Sequence, residues 1–269
     1  MSAEGDAPRF TMLGGVNQVG PDGLAQCYAY PEAHAVDPRS CWVRGNMIAS
    51  IDGGATSGGK SGDLGGVGDH ALFAVLRGLA DVIVVGASTA RVENYSGVRL
   101  SATQRQERQH RGQAEVPPIA VLTRSGCLEA DATLFHRTEV PPLILTSADA
   151  VSDTRARLGA LADVLDASGS CTDSVDLRVA LDLLAEKGLL RVLTEGGPGV
   201  LGMFTEQNLL DEMCLTVAPA LVGGNSVRIV TGPAEVHTEM QLSHVLTDDE
   251  GCLYLRYGRR NPARCGEAL

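Results

Sequence analysis

Short apolar runs alternate with segments of helical periodicity along most of this chain of 269 residues. Runs of about five apolar residues indicate strands that are buried on both faces, as in a parallel sheet between two layers of helices. The pattern predicts strands over residues 42–51, 81–86, 119–122, 143–146, 163–165, 189–193 and 212–217. Apolar residues recur at helical spacing between them, over 69–79, 153–162 and a segment that opens at 173 or 174. This alternation predicts an α/β fold.

The C-terminal part has a different pattern. Two strands, 242–246 and 252–257, flank the polar turn 247–251 and predict a β-hairpin. A hairpin there adds an antiparallel edge to an otherwise mostly parallel sheet. Neither an internal repeat nor a linker divides the chain, so a single domain is expected. The predicted organisation is a partly irregular N-terminal arm, one domain and a tail, over residues 1–40, 41–258 and 259–269.

The stretch from Leu189 to Phe204 combines a strand, a turn and the start of a helix. Four of the six residues that begin at Gly196 are Gly or Pro, and Pro198 suits the first turn of a helix, where its missing N–H costs nothing. Bare backbone, unpaired N–H groups and the helix dipole together favour a phosphate group. Glu195 needs a separate explanation. A negatively charged carboxylate beside a phosphate-binding turn is unfavourable unless it points away from the phosphate.

The same turn also matches the dinucleotide fingerprint, as Gly197-x-Gly199-x-x-Gly202. That fingerprint requires an acidic residue about 20 positions later, which binds the ribose. Residues 217–222 contain none, so a Rossmann dehydrogenase is disfavoured. A tight turn that binds no ligand stays open as an alternative.

Two other strand ends carry hydroxyl side chains. The strand that ends at Gly86 is followed by Ser88 and Thr89, and the strand over 119–122 leads into Thr123-Arg124-Ser125. Both turns suit phosphate oxygens. An arginine between two hydroxyl groups at such a place is typical of binding to the 2′-phosphate of NADP.

Polar residues on the strand over 42–51 indicate a second type of site. Asn46, Ser50 and Asp52 have the same parity, so they are expected to share one face of the strand and its end. A polar face on a buried strand must be hydrogen-bonded or open to a cleft. The Gly- and Ser-rich loop 55–68 is expected to be mobile or to close over a ligand. A plain Asp-Gly turn is the alternative.

The composition limits the binding partners and the cellular compartment that are expected. A formal charge of −11 argues against nucleic acid or an anionic membrane as a partner. No apolar run approaches about 18 residues, and no signal peptide is recognised, so a cytoplasmic protein is expected. The seven cysteines are spread singly, which fits reduced thiols and predicts no metal site.

Several of these segments resemble the reductase (C-terminal) domain of the riboflavin-biosynthesis protein RibD, over roughly residues 40–258. The resemblance is carried by Ser50-Ile51-Asp52-Gly53, by Ala80–Gly86 with Thr89, by Thr194-Glu195-Gly196-Gly197-Pro198, and by Leu210-Asp211-Glu212 leading to Gly223-Gly224. No single motif is specific, but their order and spacing are. The segment Tyr95–Arg99 is similar to stand-alone actinobacterial members of that family.

The resemblance implies a dihydrofolate-reductase-like α/β fold, a homodimer, NADPH as cofactor, and reduction of the ribose of 5-amino-6-(5-phosphoribosylamino)uracil. It implies that substrate is bound by Asn46, Ser50, Glu93 and Arg99, with Asp52 as the catalytic residue. It implies that the cofactor is bound by Thr56, Gly86, Ser88, Thr89, Thr123, Arg124, Ser125, Glu195, Gly196, Gly197, Pro198, Gly199, Val200 and Leu201.

Two departures from the family leave alternatives open. The zinc deaminase pattern of the bifunctional protein is absent from the sequence. Residues 61–77 also carry few cations where the family binds a substrate phosphate, which leaves chiefly Arg77 and Arg99. Reduction of a pterin, as in dihydrofolate reductase, and a non-catalytic NADP-binding module are therefore the alternatives. Asp52 is expected either to donate a proton, with a pKa raised by burial, or only to orient the substrate.

Overall fold

The computed structural model describes residues 10–13, 18–31 and 40–260. Its strands are β1 (Phe10–Met12), β2 (Gln18–Val19), β3 (Trp42–Ser50), β4 (Val82–Gly86), β5 (Ile119–Thr123), β6 (Leu143–Thr146), β7 (Asp163–Asp166), β8 (Arg191–Thr194), β9 (Glu212–Ala218), β10 (Met240–Asp248) and β11 (Leu253–Arg259). Its α-helices are α1 (Pro21–Cys27), α2 (Val67–Leu79), α3 (Ala87–Val92), α4 (Ala102–His110), α5 (Thr133–His136), α6 (Ala148–Leu158), α7 (Leu177–Glu186) and α8 (Pro198–Glu206).

The strands form one sheet in the order β2-β1-β10-β11-β9-β3-β8-β4-β5-β6-β7. Neighbouring strands from β9 to β7 are parallel, whereas β11, β10, β1 and β2 add an antiparallel edge. Helix α2 lies between β3 and β4 in the chain, and α8 lies between β8 and β9, so these two crossovers leave the centre of the sheet in opposite directions. Such a reversal opens a crevice at the carboxyl ends of the strands.

Alternate residues of β4 show why its sequence is apolar throughout. Ile83 and Val85 pack in the cluster that contains Leu76 of α2, while Val84 packs in the cluster that contains Leu201 of α8. Both faces of the strand are therefore covered by helices, as predicted from the uninterrupted apolar runs.

The predicted strands are confirmed, with ends that differ from the sequence patterns by at most two residues, and so is the C-terminal hairpin. Three helix starts are corrected. Helix α2 begins after Gly66 rather than at Asp69, and α6 begins at Ala148. Helix α7 begins at Leu177, because the carboxylate of Asp176 accepts a hydrogen bond from the N–H of Arg178 and so caps the helix there.

The predicted N-terminal arm, residues 1–40, contains regular elements where the structure describes it. β1 pairs with β10 and so extends the sheet, and α1 packs against α2 through the buried side chain of Leu24. At the other end, β11 continues to Arg259, and residues 261–269 of the predicted tail lie outside the described residues. None of the helices in the described ranges is long and apolar enough to cross a bilayer.

A buried ion cluster attaches the end of α1 to the sheet. The carboxylate of Glu212 on β9 lies 2.6 Å from Nε of Arg44 and 2.9 Å from Nε of Arg256. The two guanidinium groups also donate to the carbonyl oxygens of Cys27, Tyr28 and Ala29, just where α1 ends. The chain after α1 is therefore bonded through a charge cluster in the core rather than through surface contacts.

Candidate active site

A cleft of about 560 Å³ opens at the carboxyl ends of β3, β8 and β4, where the strand order predicts a crevice. Helix α2 and the turns after β4 and β8 all contribute residues to its lining. The side chains and backbone that line it include Asn46, Thr56, Asp69, Phe73, Arg77, Ser88, Thr89, Glu93, Tyr95, Glu195, Gly197 and Pro198.

The turn between β8 and α8 has the predicted strand–turn–helix form. Gly197 is the N-cap residue of α8, and Pro198 is the first residue of the helix. The N–H of Gly86, at the end of β4, donates to the carbonyl oxygen of Gly196 at 2.7 Å, so the two neighbouring turns are bonded to each other. The first N–H groups of α8 have no acceptor within the helix and are available to a ligand.

The glycines of this turn have different surroundings. A Cβ on Gly197 would collide with the hydroxyl oxygen of Thr89, whereas a Cβ on Gly199 would meet no atom within 4 Å. A Cβ on Gly202 would collide with the carbonyl oxygen of Thr231. Gly202 is thus explained by close packing of α8 against the chain at residue 231, and the apparent dinucleotide fingerprint needs no further explanation.

The other two predicted hydroxyl turns lie beside the first. Ser88 and Thr89, in the first turn of α3, both line the cleft. β5 is the parallel neighbour of β4, which places Thr123 and the residues after it next to α3. Arg124 is exposed, and its guanidinium forms no ion pair with any residue in the described ranges. Strands are spaced about 4.8 Å apart, so the three turns span about 10 Å of one edge of the sheet.

The polar face predicted for β3 is only partly present. Asn46 lines the cleft, but Ser50 is buried outside it. The hydroxyl of Ser50 donates to the carboxylate of Asp52 at 2.6 Å and accepts from the N–H of Gly54 at 2.9 Å. The prediction that Ser50 faces the same cleft as Asn46 is corrected, because the turn at the end of β3 uses the hydroxyl.

The expected rise in the pKa of Asp52 is wrong. Asp52 is exposed and lies outside the residues that line the cleft. The hydrogen bond from Ser50, followed by those from the N–H groups of Val222 and Gly223, lowers the pKa of Asp52 to about 2. This carboxylate stays ionised and holds the chain segment that follows β9.

Two loops close the mouth of the cleft. The N–H of Ala55 donates to the carbonyl oxygen of Val227 at 2.8 Å, and the hydroxyl of Ser226 donates to the carbonyl oxygen of Thr56 at 2.9 Å. Further along the first loop, the N–H and the hydroxyl of Ser61 both donate to the carboxylate of Glu93 at 2.8 Å. Thr56 and Glu93 therefore line the cleft and also hold the loop at its mouth.

The carboxylate of Glu195 is paired with Arg77 of α2 and with Tyr95, which follows α3. It accepts two hydrogen bonds from the guanidinium of Arg77, both at 2.7 Å, and a third from the hydroxyl of Tyr95 at 2.6 Å. This arrangement explains a carboxylate next to a phosphate cradle. It also occupies Arg77, one of the two arginines expected at a substrate phosphate. The other, Arg99, is exposed and lies outside the cleft lining.

Helix α2 brings into the cleft Asp69 and Phe73, which the sequence did not assign to a site, together with Arg77. Asp69, Phe73 and Arg77 follow one another at four-residue spacing and all line the cleft. Burial raises the pKa of Asp69, and a hydrogen bond with Thr216 of β9 only partly offsets this effect. The sequence contained a usable signal, because residues four apart share one face of a helix, and this face of α2 lies beside the one that buries Leu72 and Leu76.

A cleft at the carboxyl ends of parallel strands that is lined by glycine turns and titratable side chains is typical of α/β proteins that bind small molecules. The chain belongs to the RibD C-terminal domain family, which matches residues 41–254. The resemblance noted in the sequence is thereby confirmed.

Named relatives agree with this assignment. A protein of Archaeoglobus fulgidus, 2,5-diamino-6-ribosylamino-4(3H)-pyrimidinone 5′-phosphate reductase, is 27% identical over 180 residues, which cover 66% of this chain and 80% of that protein. The riboflavin biosynthesis protein RibD of Chlamydia trachomatis is 30% identical over 184 residues, 68% of this chain but 47% of that protein. The predicted class of enzyme, a reductase, is the one that the first of these names carries.

Solved structures confirm the predicted fold class. A pyrimidine reductase-like protein from Corynebacterium diphtheriae superposes with a TM-score of 0.78 at 27% identity, over 88% of this chain and 98% of that one. The riboflavin biosynthesis reductase Rib7 of Saccharomyces cerevisiae gives a TM-score of 0.63 at 16% identity, over 89% and 99% of the two chains, and shows the fold alone.

Proposed function

We propose that this protein is an NADPH-dependent reductase of the riboflavin-biosynthesis type, which transfers a hydride from NADPH to a pyrimidine- or pterin-type substrate. One observation carries the proposal: a single cleft has two unlike ends. The turns after β4 and β8, with Ser88, Thr89 and Gly197, form the cofactor end, and α2 contributes Asp69 and Phe73 at the substrate end. The third turn, over 123–125, follows the neighbouring strand β5. The names of the relatives support a reductase, and one of them specifies a ribosylaminopyrimidinone 5′-phosphate.

The glycine turns fit the pyrophosphate of a dinucleotide. The surface at Gly199 is bare backbone, and the first N–H groups of α8 are unpaired and lie at the positive end of the helix. When bound, NADPH supplies a hydride. The residues proposed to hold it are Thr56, Gly86, Ser88, Thr89, Thr123, Arg124, Ser125 and 196–201.

Gly197→Val is expected to abolish NADPH binding in a protein that still folds. The added side chain collides with Thr89 and occupies the surface on which the pyrophosphate is proposed to lie. Titration calorimetry measures the binding, and far-UV circular dichroism reports the fold. The control is Gly258→Val on β11, where a Cβ meets no atom within 4 Å. If a normally folded Gly197→Val protein still binds NADPH, the proposal that this turn binds the pyrophosphate is rejected.

Arg124→Ala is expected to weaken NADPH binding by about 1.5–3 kcal/mol while leaving NADH binding unchanged. A planar guanidinium binds a 2′-phosphate through charge-assisted hydrogen bonds of that strength, and NADH lacks the phosphate. Arg178→Ala, an exposed arginine on α7, is the control. Equal effects of Arg124→Ala on both cofactors would contradict the assignment.

The substrate end supplies a proton source and an aromatic wall. Reduction of a C=N bond adds a hydride to carbon and a proton to nitrogen. Asp69 is the carboxyl group best placed to hold that proton, because it lines the cleft and burial raises its pKa. The ring of Phe73 offers a face to a flat heterocycle, and the side-chain amide of Asn46 offers both a donor and an acceptor.

Asp52 is proposed to act as a positioning residue rather than as the catalytic acid. Its ionised carboxylate accepts from the N–H groups of Val222 and Gly223 at 3.1 and 2.7 Å. The same chain segment continues to Ser226 and Val227, which hold the mouth of the cleft. Asp52 therefore acts on the site through this loop.

Reduction of a pterin, as in dihydrofolate reductase, is the second candidate. The observation that favours it is the small number of arginines and lysines in the cleft. Among the described residues that line it, Arg77 is the one arginine or lysine and is paired with Glu195, while His70 is the other basic side chain. A pterin requires a carboxyl group and a flat apolar wall but no phosphate site.

Turnover tests with the phosphoribosylaminopyrimidine intermediate and with dihydrofolate, side by side, decide between these candidates. Oxidation of NADPH is followed at about 340 nm, the band of the reduced nicotinamide. Loss of absorbance that depends on one of the substrates identifies it. Tight NADPH binding with no substrate-dependent loss indicates the non-catalytic NADP-binding module instead.

The resemblance to the family also supports a homodimer in the cytoplasm as part of this proposal. Analytical ultracentrifugation measures the oligomeric state directly. A sedimenting species with the mass of one 28.1 kDa chain would contradict the homodimer.

A further inference from the structure

We infer that Arg91 and Arg157, together with Arg124, determine a preference for NADPH over NADH. The inference rests on the proposed reductase function and specifies how its cofactor is selected. Among the residues proposed above to hold the cofactor, Arg124 alone carries a positive charge. The structure places two further guanidinium groups at the same turn, one from α3 and one from α6, which the sequence did not assign to a site.

The two arginines reach the turn after β5 from the helices beside it. Nη2 of Arg91, on α3, donates to the carbonyl oxygen of Cys127 at 3.1 Å. Nη2 of Arg157, on α6, donates to the carbonyl oxygen of Gly126, the residue before it. Arg124 lies two residues before Gly126 in the same turn. Three arginines from three segments therefore surround four consecutive residues of backbone.

The turn itself is held in place by its other neighbours. The hydroxyl of Ser147 donates to the carbonyl oxygen of Arg124 at 2.8 Å, and the N–H of Gly126 donates to the hydroxyl oxygen of Thr123 at 3.2 Å. Gly126 has a φ of +60°, and a Cβ there would collide with the hydroxyl oxygen of Thr154. These contacts fix the backbone of the turn, so Arg91 and Arg157 are not needed for that purpose alone.

The charges of the three arginines are not compensated by acidic side chains. Arg91, Arg124 and Arg157 are exposed, and none of them forms an ion pair with another described residue. Glu93, near Arg91 in the sequence, accepts two hydrogen bonds from Ser61 instead. Other acidic residues near them in the sequence are exposed and do not pair with them: Glu129, Asp131 and Asp153. Like charges held at one turn repel each other, so the cluster favours a multiply charged anion.

The guanidinium groups keep donors for such an anion. Each guanidinium carries five N–H groups, and its contact with the turn uses one of those of Arg91 and one of those of Arg157. By contrast, Arg77 in the cleft uses both Nε and Nη2 on the carboxylate of Glu195. A phosphate is bound most strongly by the planar fork of an arginine whose N–H groups are free.

The 2′-phosphate of NADPH fits the position and the charge of this cluster. Ser88 lines the cleft, and Arg91 lies three residues later on the same side of α3. Helix α3 packs against β5, so a cofactor that runs from the glycine turn across α3 reaches the turn after β5. A phosphate monoester carries between about 1.5 and 2 negative charges at pH 7, whereas NADH has a neutral hydroxyl group there.

The test measures dissociation constants of NADPH and NADH by calorimetry at low ionic strength. Arg91→Gln and Arg157→Gln are each expected to lower the preference for NADPH by about tenfold and to leave NADH binding unchanged. Glutamine still has an N–H donor for the turn but no charge. The matched control is Arg178→Gln, because Nη2 of this exposed arginine also donates to a backbone carbonyl oxygen, that of Gln207, at 3.1 Å. It is expected to leave the preference unchanged.

Salt and a charge-conserving variant separate a contact with the phosphate from a structural role. The loss in Arg91→Gln is expected to shrink as salt is added, because the screening length falls from about 10 Å at 0.1 M to about 3 Å at 1 M. Arg91→Lys is expected to retain more of the preference than Arg91→Gln. Equal losses for NADPH and NADH show that the arginine only holds the turn and overturn the inference. A preference that either glutamine variant leaves unchanged overturns the inference for that arginine.

Adenosine 2′,5′-bisphosphate separates this inference from the reductase proposal, because it carries the 2′-phosphate but no nicotinamide. It is expected to bind more tightly than adenosine 5′-monophosphate and to lose most of that advantage in Arg91→Gln. This result together with no substrate-dependent oxidation of NADPH rejects the reductase and keeps the inference. Equal affinity for the two adenosine compounds overturns the inference, even if the protein reduces a substrate with either cofactor.

Discussion

Asp69→Asn is expected to lower kcat by about 10²–10⁴-fold, the usual contribution of a general acid or base. The carboxyl group lines the cleft beside Phe73, and burial raises its pKa above that of an ordinary aspartate. An asparagine has the same shape but no titratable proton. Steady-state rates with saturating NADPH measure the loss, and an unchanged dissociation constant for NADPH shows that the cofactor end is intact.

The pH profile separates a proton donor from a residue that only binds. A donor must be protonated, so the kcat/KM of the natural protein is expected to fall as the pH rises through the raised pKa of Asp69. Asp69→Asn is expected to lose this limb of the profile. Asp52→Asn is the contrasting variant: the pKa of Asp52 is lowered to about 2, so its loss is expected to raise KM more than it lowers kcat. A larger effect on kcat in Asp52→Asn than in Asp69→Asn would reverse the two assignments.

Glu212→Gln is expected to lower the free energy of unfolding by about 3–5 kcal/mol, because removing one member of a buried ion cluster leaves its partners uncompensated. Arg44 is fully buried, and both Arg44 and Arg256 lose their common carboxylate in this variant. Chemical denaturation measures the loss. Glu239→Gln breaks an exposed ion pair and is expected to cost less than about 1 kcal/mol. Similar losses in both variants would show that the buried cluster contributes no more than a surface pair.

The same cluster predicts the direction of a pH effect on stability. Burial by itself would raise the pKa of Glu212, but the charges of Arg44 and Arg256 outweigh it and lower the pKa. A carboxyl group whose pKa is lower in the folded state stabilises the protein above its unfolded pKa, about 4.3. That contribution is lost as the pH falls through the folded value. Glu212→Gln is therefore expected to flatten the acid limb of the stability profile.

The cofactor end of the candidate site was predictable because its signals are local. A turn such as that from Gly196 to Pro198 is defined by residues next to one another in the chain, as is the hydroxyl turn at Thr89. The substrate end is not local. Burial in the folded protein raises the pKa of Asp69, and Thr216, 147 positions away in the sequence, partly offsets this rise through a hydrogen bond. Glu195 is neutralised by Arg77 and Tyr95 from other elements.

The sequence by itself determined the strands, because a segment buried on both faces must be apolar throughout, and it determined the glycine turns, because only bare backbone suits them. It also determined the family, through the order and spacing of several weak motifs. The tertiary structure alone decided which polar groups share a cleft. Ser50 and Asp52 lie at even-numbered spacing from Asn46, which predicts that they share its face of the strand. In the structure they instead accept hydrogen bonds from the N–H groups of Gly54 and Gly223 and stabilise turns. Hydrogen bonds and burial between distant segments set the charge and pKa of each side chain, and no pattern along the chain records them.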